Sequence, residues 1–459
     1  MPDLGMSEVT AIERLPMVGP AVGGLPWDTA PPSNADGAGR SVDAGVLPSA
    51  DRCRRCENAT HHGHRLTWFL VVVLGTLVPA CGTVRVAQPP DSLLQRRAQD
   101  LQSYLDQTNE RYTALLERNK AQLEEYKAGR RPTPPVIDFL ILSGGGDYGA
   151  FGAGFLKGWK TISASDPLAR PRFDIVTGVG TGALIAPFAF VDDPAADATV
   201  VDVYRNPRPD WVRVRSLAIL PHHVSLADVP GLEREVRTHV APELVARIAD
   251  PTNAGRLLFV KTTNLDDGSP QIFYLVPEAR RAVQTGDVSR FRTILLASAG
   301  IPGVFPYREI DGTMLVDGAV TANMTFGARV PEERRLSALW EARYPDDQMP
   351  KLRYWVIYSN QLHPPPTIVR ARWYDIMRRS VDVLNRAGSL TSMRQLFLMA
   401  DVARLKRHHD VEVRFVAIPD DWRPPKPGIF VKETMNDLAD LGEKMGADPS
   451  SWLTEPPIQ

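Results

Sequence analysis

The strongest constraint on the fold is a pattern that occurs in two places: a short β-rich run ends in a glycine cluster, and a small-residue apolar stretch follows. IDFLILS (Ile137 to Ser143) leads into GGGDYG (Gly144 to Gly149) and then AFGAGFLKGW, while FDIVTGV (Phe173 to Val179) leads into GVGTG (Gly178 to Gly182) and then ALIAPFAF. Each run is too short for a buried helix and rich in residues that favour strands. RLLFVKTTN (Arg256 to Asn264) and LRYWVIYSN (Leu352 to Asn360) supply further strands. Strands separated by helices predict an α/β, three-layer fold with a mainly parallel central sheet covered by helices on both faces. No internal repeat is evident.

The regions before this pattern have a different character. Residues 1–65 are rich in Pro, Gly, Ala and Asp without apolar periodicity, and read as a disordered or mis-assigned extension. Behind Arg65 lies LTWFLVVVLGTLVPA (Leu66 to Ala80), followed by Cys81. This run is shorter than the ~20 residues of a membrane-crossing helix but matches the apolar region of a secretory signal. VPAC (Val78 to Cys81) resembles the lipobox of bacterial lipoproteins, which implies lipidation at Cys81 and a membrane-anchored protein facing the periplasm. An uncleaved anchor is one alternative, and a cytoplasmic protein with a mis-assigned start is the other. Cys53 and Cys56 lie near His61, His62 and His64, but their spacing fits no strong zinc template, and no metal or other cofactor is expected.

Over 91–130, apolar residues recur at Leu94, Ala98, Leu101, Leu105, Tyr112, Leu116 and Leu123, predicting an amphipathic helix. It serves either as a spacer or self-association element, or as a helix packed on the domain. Pro132, Pro134 and Pro135 end it and open a domain over 136–420, with a C-terminal helix and tail over 421–459. Lys and Arg number 53 against 54 Asp and Glu, so nothing in the overall charge calls for a nucleic-acid partner.

The glycine loop admits three readings. As GxGxxG (Gly144, Gly146, Gly149) it suits a dinucleotide, with Asp166 or Asp174 on the ribose. As an oxyanion hole, Gly144, Gly145 and Gly146 turn main-chain N–H groups toward a developing negative charge. As a plain turn, it lets the backbone pass. In GVGTG, Gly178 and Gly182 stand where a nucleophile elbow has its outer glycines, and the central residue is Gly180, which carries no nucleophile. Thr181, Ser143 and Ser298 are weaker substitutes, because geometry decides before side-chain type.

Farther on, EIDGTMLV reads as a hairpin turning at Asp311 and Gly312, and the returning strand leads to Asp317 and Gly318. An aspartate that accepts a hydroxyl proton directly needs no histidine beside it. His222, His223, His239, His363, His408 and His409 stand in no recognised motif.

Taken in order, GGGDYG, GVGTG, TTNLDD (Thr262 to Asp267), ASAGIPGVFP (Ala297 to Pro306) and VDGA (Val316 to Ala319) resemble the patatin-like lipid acyl hydrolases over about 136 to 420. The resemblance implies Gly144, Gly145 and Gly146 as the oxyanion loop, with Gly149, Gly178, Gly182 and Gly318 supporting the motifs. It also implies Asp317 as the base and Gly180 where the family has its serine. Tyr148 stands where many relatives place a basic residue. The implied substrate is a lipid or other acyl ester, and the implied function is a patatin-like phospholipase impaired by the missing serine. A non-catalytic lipid- or partner-binding protein is the alternative, with a dinucleotide-binding oxidoreductase more distant.

Overall fold

The computed structural model describes residue 85 and residues 88–215, 223–326, 331–407 and 409–458. The extension over 1–65, the apolar segment over 66–81 with Cys81, the Cys53/Cys56 cluster with its histidines, His222 and His408 lie outside the described residues.

The predicted three-layer α/β arrangement is the one observed. Strands β1 (Val136–Leu142), β2 (Ile175–Val179), β3 (Leu257–Asn264), β4 (Pro270–Tyr274), β5 (Arg308–Ile310), β6 (Thr313–Asp317), β7 (Lys351–Gln361) and β8 (Val411–Ile418) form one sheet. Its order is β8–β7–β1–β2–β3–β6–β5, with β4 also paired to β3. The strands from β8 to β3 run parallel, and β4, β5 and β6 pair antiparallel. Alternation along β1 divides the core. Leu140 and Leu142 join one apolar cluster, while Ile137, Phe139 and Ile141 join another across the sheet.

On the first face lie α2 (Gly149–Trp159), α3 (Thr181–Val191), α4 (Pro194–Arg205), α5 (Pro230–His239), α6 (Pro242–Ala249), α7 (Leu275–Thr285), α8 (Ser289–Ser298) and α11 (Lys432–Gly446). The second face is covered by α1 (Pro90–Lys127), α9 (Leu336–Arg343) and α10 (Trp373–Arg407). Helix α1 packs through its second half, where Leu115 and Leu116 are buried, while Leu94 and Leu101 in its first half are exposed.

The residues after 420 belong to the core. A Cβ on Gly154 or Gly158 would strike the backbone of Ala439 or Glu443, and one on Gly442 or Gly446 would strike that of Phe151 or Phe155. Helices α2 and α11 therefore touch backbone to backbone, and Trp452 closes the cluster with ring centroids 4.7 Å from Trp159 and 4.9 Å from Trp355.

The sheet register sets up the site. Lys261 of β3 pairs with Val179 at the end of β2, and the next residue, Thr262, pairs with Asp317 at the end of β6. Lys261 and Thr262 pair with β4 on their other side, so β2 and β6 share one edge of β3 and approach each other end to end. The hairpin between β5 and β6 turns at Asp311 (φ 54) and Gly312 (φ 72), as a two-residue turn with both central φ positive requires.

Candidate functional site

Gly180 follows β2 and precedes the first turn of α3, with φ 57 and ψ −124. Side chains rarely adopt this conformation, and the turn places residue 180 at the positive end of the α3 dipole. A Cβ built on Gly180 would lie 3.2 Å from Asp317 Oδ2, 3.5 Å from Oδ1 and 3.1 Å from the Gly144 Cα. The outer glycines have steric reasons. A Cβ on Gly178 would meet the Gly182 carbonyl, and one on Gly182 would meet that of Leu142.

Asp317 is buried, and its Oδ1 accepts the Ala319 N–H at 2.8 Å. Burial pushes its pKa up to about 7, against the smaller opposing effects of that hydrogen bond and the positive charge of Lys261. Lys261 is itself buried, and its Nζ donates to the Ala322 carbonyl at 2.8 Å.

The glycine loop approaches from the end of β1. Asn323 grips it, with Oδ1 accepting the Gly144 N–H at 3.0 Å and Nδ2 donating to the Gly144 carbonyl at 3.3 Å. Gly145 is fixed by the Ser359 backbone, which a Cβ would strike, whereas Gly146 (φ 61) has open space on its Cβ side. Among the described residues, the Gly145 and Gly146 amides make no turn, loop or cap hydrogen bond.

Gly146 and Asp317 border a narrow, largely apolar cavity with a water-accessible volume of about 70 Å³. Gly146, Thr181 and Asp317 line it together with Tyr204, Trp211, Leu232, Val236, Phe305 and Phe430. The loop also holds the opposite wall, because Asp147 Oδ2 accepts the Phe430 N–H at 3.1 Å. Burial raises the Asp147 pKa to about 6. Tyr148 packs edge-on against Trp422, with ring centroids 5.4 Å apart.

The three substitute hydroxyls are all committed elsewhere. Thr181 Oγ1 shares a hydrogen bond with the Tyr204 hydroxyl, and Ser143 Oγ donates to the Gly144 carbonyl and accepts the Ser359 N–H. Ser298 Oγ accepts the Gly180 N–H at 3.1 Å and donates to the Lys261 carbonyl at 2.7 Å, bracing the turn that carries Gly180.

The groups a dinucleotide would need are not brought together. Asp174 precedes β2, at the opposite end of the parallel strands from the glycine loop, where its Oδ2 accepts the Asp138 N–H at 2.8 Å. Asp166 caps its own turn through the Leu168 N–H. His363 pairs with Asp420 and His409 with Glu341, while His239 lies on the cavity wall. No cluster of three or more metal-ligating side chains occurs among the described residues, and no described helix is long and apolar enough to cross a membrane.

Sequence reasoning passed over the bracing groups. Lys261 was legible as a lone charge inside the buried run RLLFVKTTN, and Asn323 closes the stretch LVDGAVTAN. The wall residues Trp211 and Phe430 had no local signal, because they come from separate loops that only the fold brings together.

A glycine loop, a positive-φ strand-to-helix turn and a buried aspartate, set at the ends of a covered parallel sheet, define the layout of an α/β acyl-ester hydrolase. Residues 140–329 match the family model for patatin-like phospholipase. The match ends before β7 and β8, which complete the sheet. No curated protein matches the chain. The crystal structure of VipD from Legionella pneumophila aligns with 10% identity and a TM-score of 0.29, over 70% of this chain and 68% of that one.

Proposed function

We propose that this protein is a patatin-type acyl-ester hydrolase scaffold in which Gly180 has replaced the serine nucleophile, leaving a pocket that binds an acyl lipid but does not cleave it efficiently. One observation carries the reading: a side chain at residue 180 would sit 3.2 Å from Asp317 Oδ2, with the turn already in the positive-φ conformation an elbow demands. A serine there would pass its hydroxyl proton to Asp317 as Oγ attacks the ester carbonyl. The carbonyl oxygen, now negative, would take up the amides of Gly145 and Gly146. Collapse of the intermediate would return the proton to the departing alcohol, and water would release the acyl group by the same sequence. Glycine has no Oγ, so the first bond cannot form.

The pocket is suited to an acyl chain because most of its wall is apolar, with Thr181, Tyr204, Glu235 and His239 as the polar side chains besides Asp317. Anchoring to the periplasmic face of a membrane through a lipidated Cys81 belongs to the same proposal, as does a spacer or self-association role for the exposed first half of α1. The family match over 140–329 supports the lipid acyl-ester substrate class.

The test is hydrolysis of short and long acyl esters by the natural chain, Asp317→Ala, Gly180→Ser and Gly180→Ser/Asp317→Ala. Activity confined to Gly180→Ser supports the proposal. Equal activity in the natural chain, lost on Asp317→Ala, would replace it with a working hydrolase that uses another nucleophile.

A further inference from the structure

Helix α10 divides into two halves with different surroundings. Its second half packs on the sheet, burying Met393, Leu396, Phe397 and Ala400 in the core, whereas no residue from 373 to 388 joins that cluster. The change falls at the end of the sheet that carries the site. Arg386 Nη1 donates to the Gln361 carbonyl at the end of β7 at 3.0 Å, and Ser389 Oγ accepts at 3.2 Å from Asn323, the residue that grips Gly144. At about 1.5 Å per residue, the stretch from Trp373 to Arg386 overhangs that end of the sheet by about 20 Å.

The overhang is apolar and open. Trp373 is 76% exposed, Leu384 71%, Val381 58%, and Ile376 and Met377 51% each. These five positions lie along one stripe of a helix, and Ile368, just ahead of it, is 98% exposed. Arg372 and Arg378 flank the stripe on its two sides, and Arg370 precedes it. All three are exposed, and none makes an ion pair among the described residues. The acidic residues Asp375 and Asp382 fall on the opposite face, where Asp382 pairs with Arg379 and Arg386. An apolar stripe bordered by unpaired arginines, with its acids turned away, suits an apolar layer beneath an anionic surface. A symmetric second copy would instead bring arginine flank toward arginine flank.

We propose that the overhanging face of α10, over 366–386, docks on an anionic phospholipid bilayer, the stripe entering the headgroup boundary and Arg370, Arg372 and Arg378 engaging lipid phosphates. The inference rests on the acyl-lipid reading of the site only for its purpose, which is to hold the Gly180–Asp317 end of the fold toward a lipid supply.

Hydrogen exchange of the full chain, resolved by peptide, tests it with vesicles of phosphatidylglycerol and phosphatidylcholine, with phosphatidylcholine alone, and without lipid. Exchange over 366–386 is expected to slow by about tenfold or more with the anionic vesicles only. Replacing Arg370, Arg372 and Arg378 by glutamine should weaken vesicle binding by about fivefold per residue. Protection confined to other segments, such as 66–81, would overturn the proposal. Equal protection on neutral vesicles would also overturn it, as would protection that grows with protein concentration without lipid, the mark of a second copy. The readout contains no turnover, so its failure would leave the acyl-ester reading standing, and an inactive Gly180→Ser would leave the docking surface standing.

Discussion

Asp317 holds Oδ2 3.2 Å from the point where a side chain on Gly180 would begin. Backbone pairing creates this relationship: β2 and β6 share an edge of β3 through the successive residues Lys261 and Thr262. The carboxylate position is therefore fixed by the sheet and does not depend on what occupies residue 180.

Gly180→Ser should acquire ester hydrolysis roughly 10³-fold or more above the natural chain, since loss of such a nucleophile costs several orders of magnitude in well-studied hydrolases. Asp317 acts as base only when ionised, so the rate should rise with pH to half its plateau near its pKa of about 7. The serine also takes on a positive φ and a 3.1 Å approach to the Gly144 Cα, at about 1–3 kcal/mol of stability. A pH–rate profile and a urea titration measure both, and a rate flat from pH 5 to 9 would remove Asp317 from the role of base.

Asp317→Asn in the natural chain should change how stability depends on pH. The folded pKa of about 7 lies above the unfolded value, so the native state keeps a proton that the unfolded chain has released. The full stability is present below about pH 4 and is lost as pH rises through the window to about 7, levelling above it. Asparagine carries no such charge. Relative to the natural chain, the variant should gain on the order of 3 kcal/mol between pH 4 and pH 8. Unfolding midpoints that keep the same separation at both pH values would contradict this.

Ser298→Ala should leave the buried Gly180 N–H without its acceptor and cost about 1–3 kcal/mol in urea unfolding. In the Gly180→Ser background the same change should lower kcat more than it raises KM, because it loosens the turn without touching the cavity wall. A stability loss indistinguishable from zero would mean that the turn is held by other contacts.

Gly442→Val places a branched side chain where the Phe151 backbone already stands. Helices α2 and α11 would have to part, at about 3 kcal/mol. Thermal unfolding reads this directly, and an unchanged midpoint would show that the two helices slide without loss.

The layers and the main parallel strands were legible because buried parallel strands leave continuous apolar runs and glycines mark their exits. The main elements of the site were legible too, since a tight turn demands glycine locally and a hairpin at Asp311 and Gly312 delivers Asp317 a few residues later. What the sequence hid is long-range. Nothing near Ser298 says that its hydroxyl will accept the Gly180 N–H, and nothing in the stretch after 420 says that its glycines interlock with those of α2. Phe430 is held at the cavity by Asp147, 283 positions away, and by the rings of Trp211 and Phe305.

The interlocked glycines of α2 and α11 also set the order in which the molecule is completed. Lys157 and Glu443, which pair beside that contact, stand 286 positions apart. The helix that follows the glycine loop therefore waits for its closest neighbour until residues 432–446 have been made, and the aromatic cluster around Trp159 and Trp452 closes only once Trp452 has left the ribosome. A nascent chain interrupted before 432 would carry an open seam along its first strand–helix unit, and would be a client for chaperones until residues 432–452 arrived.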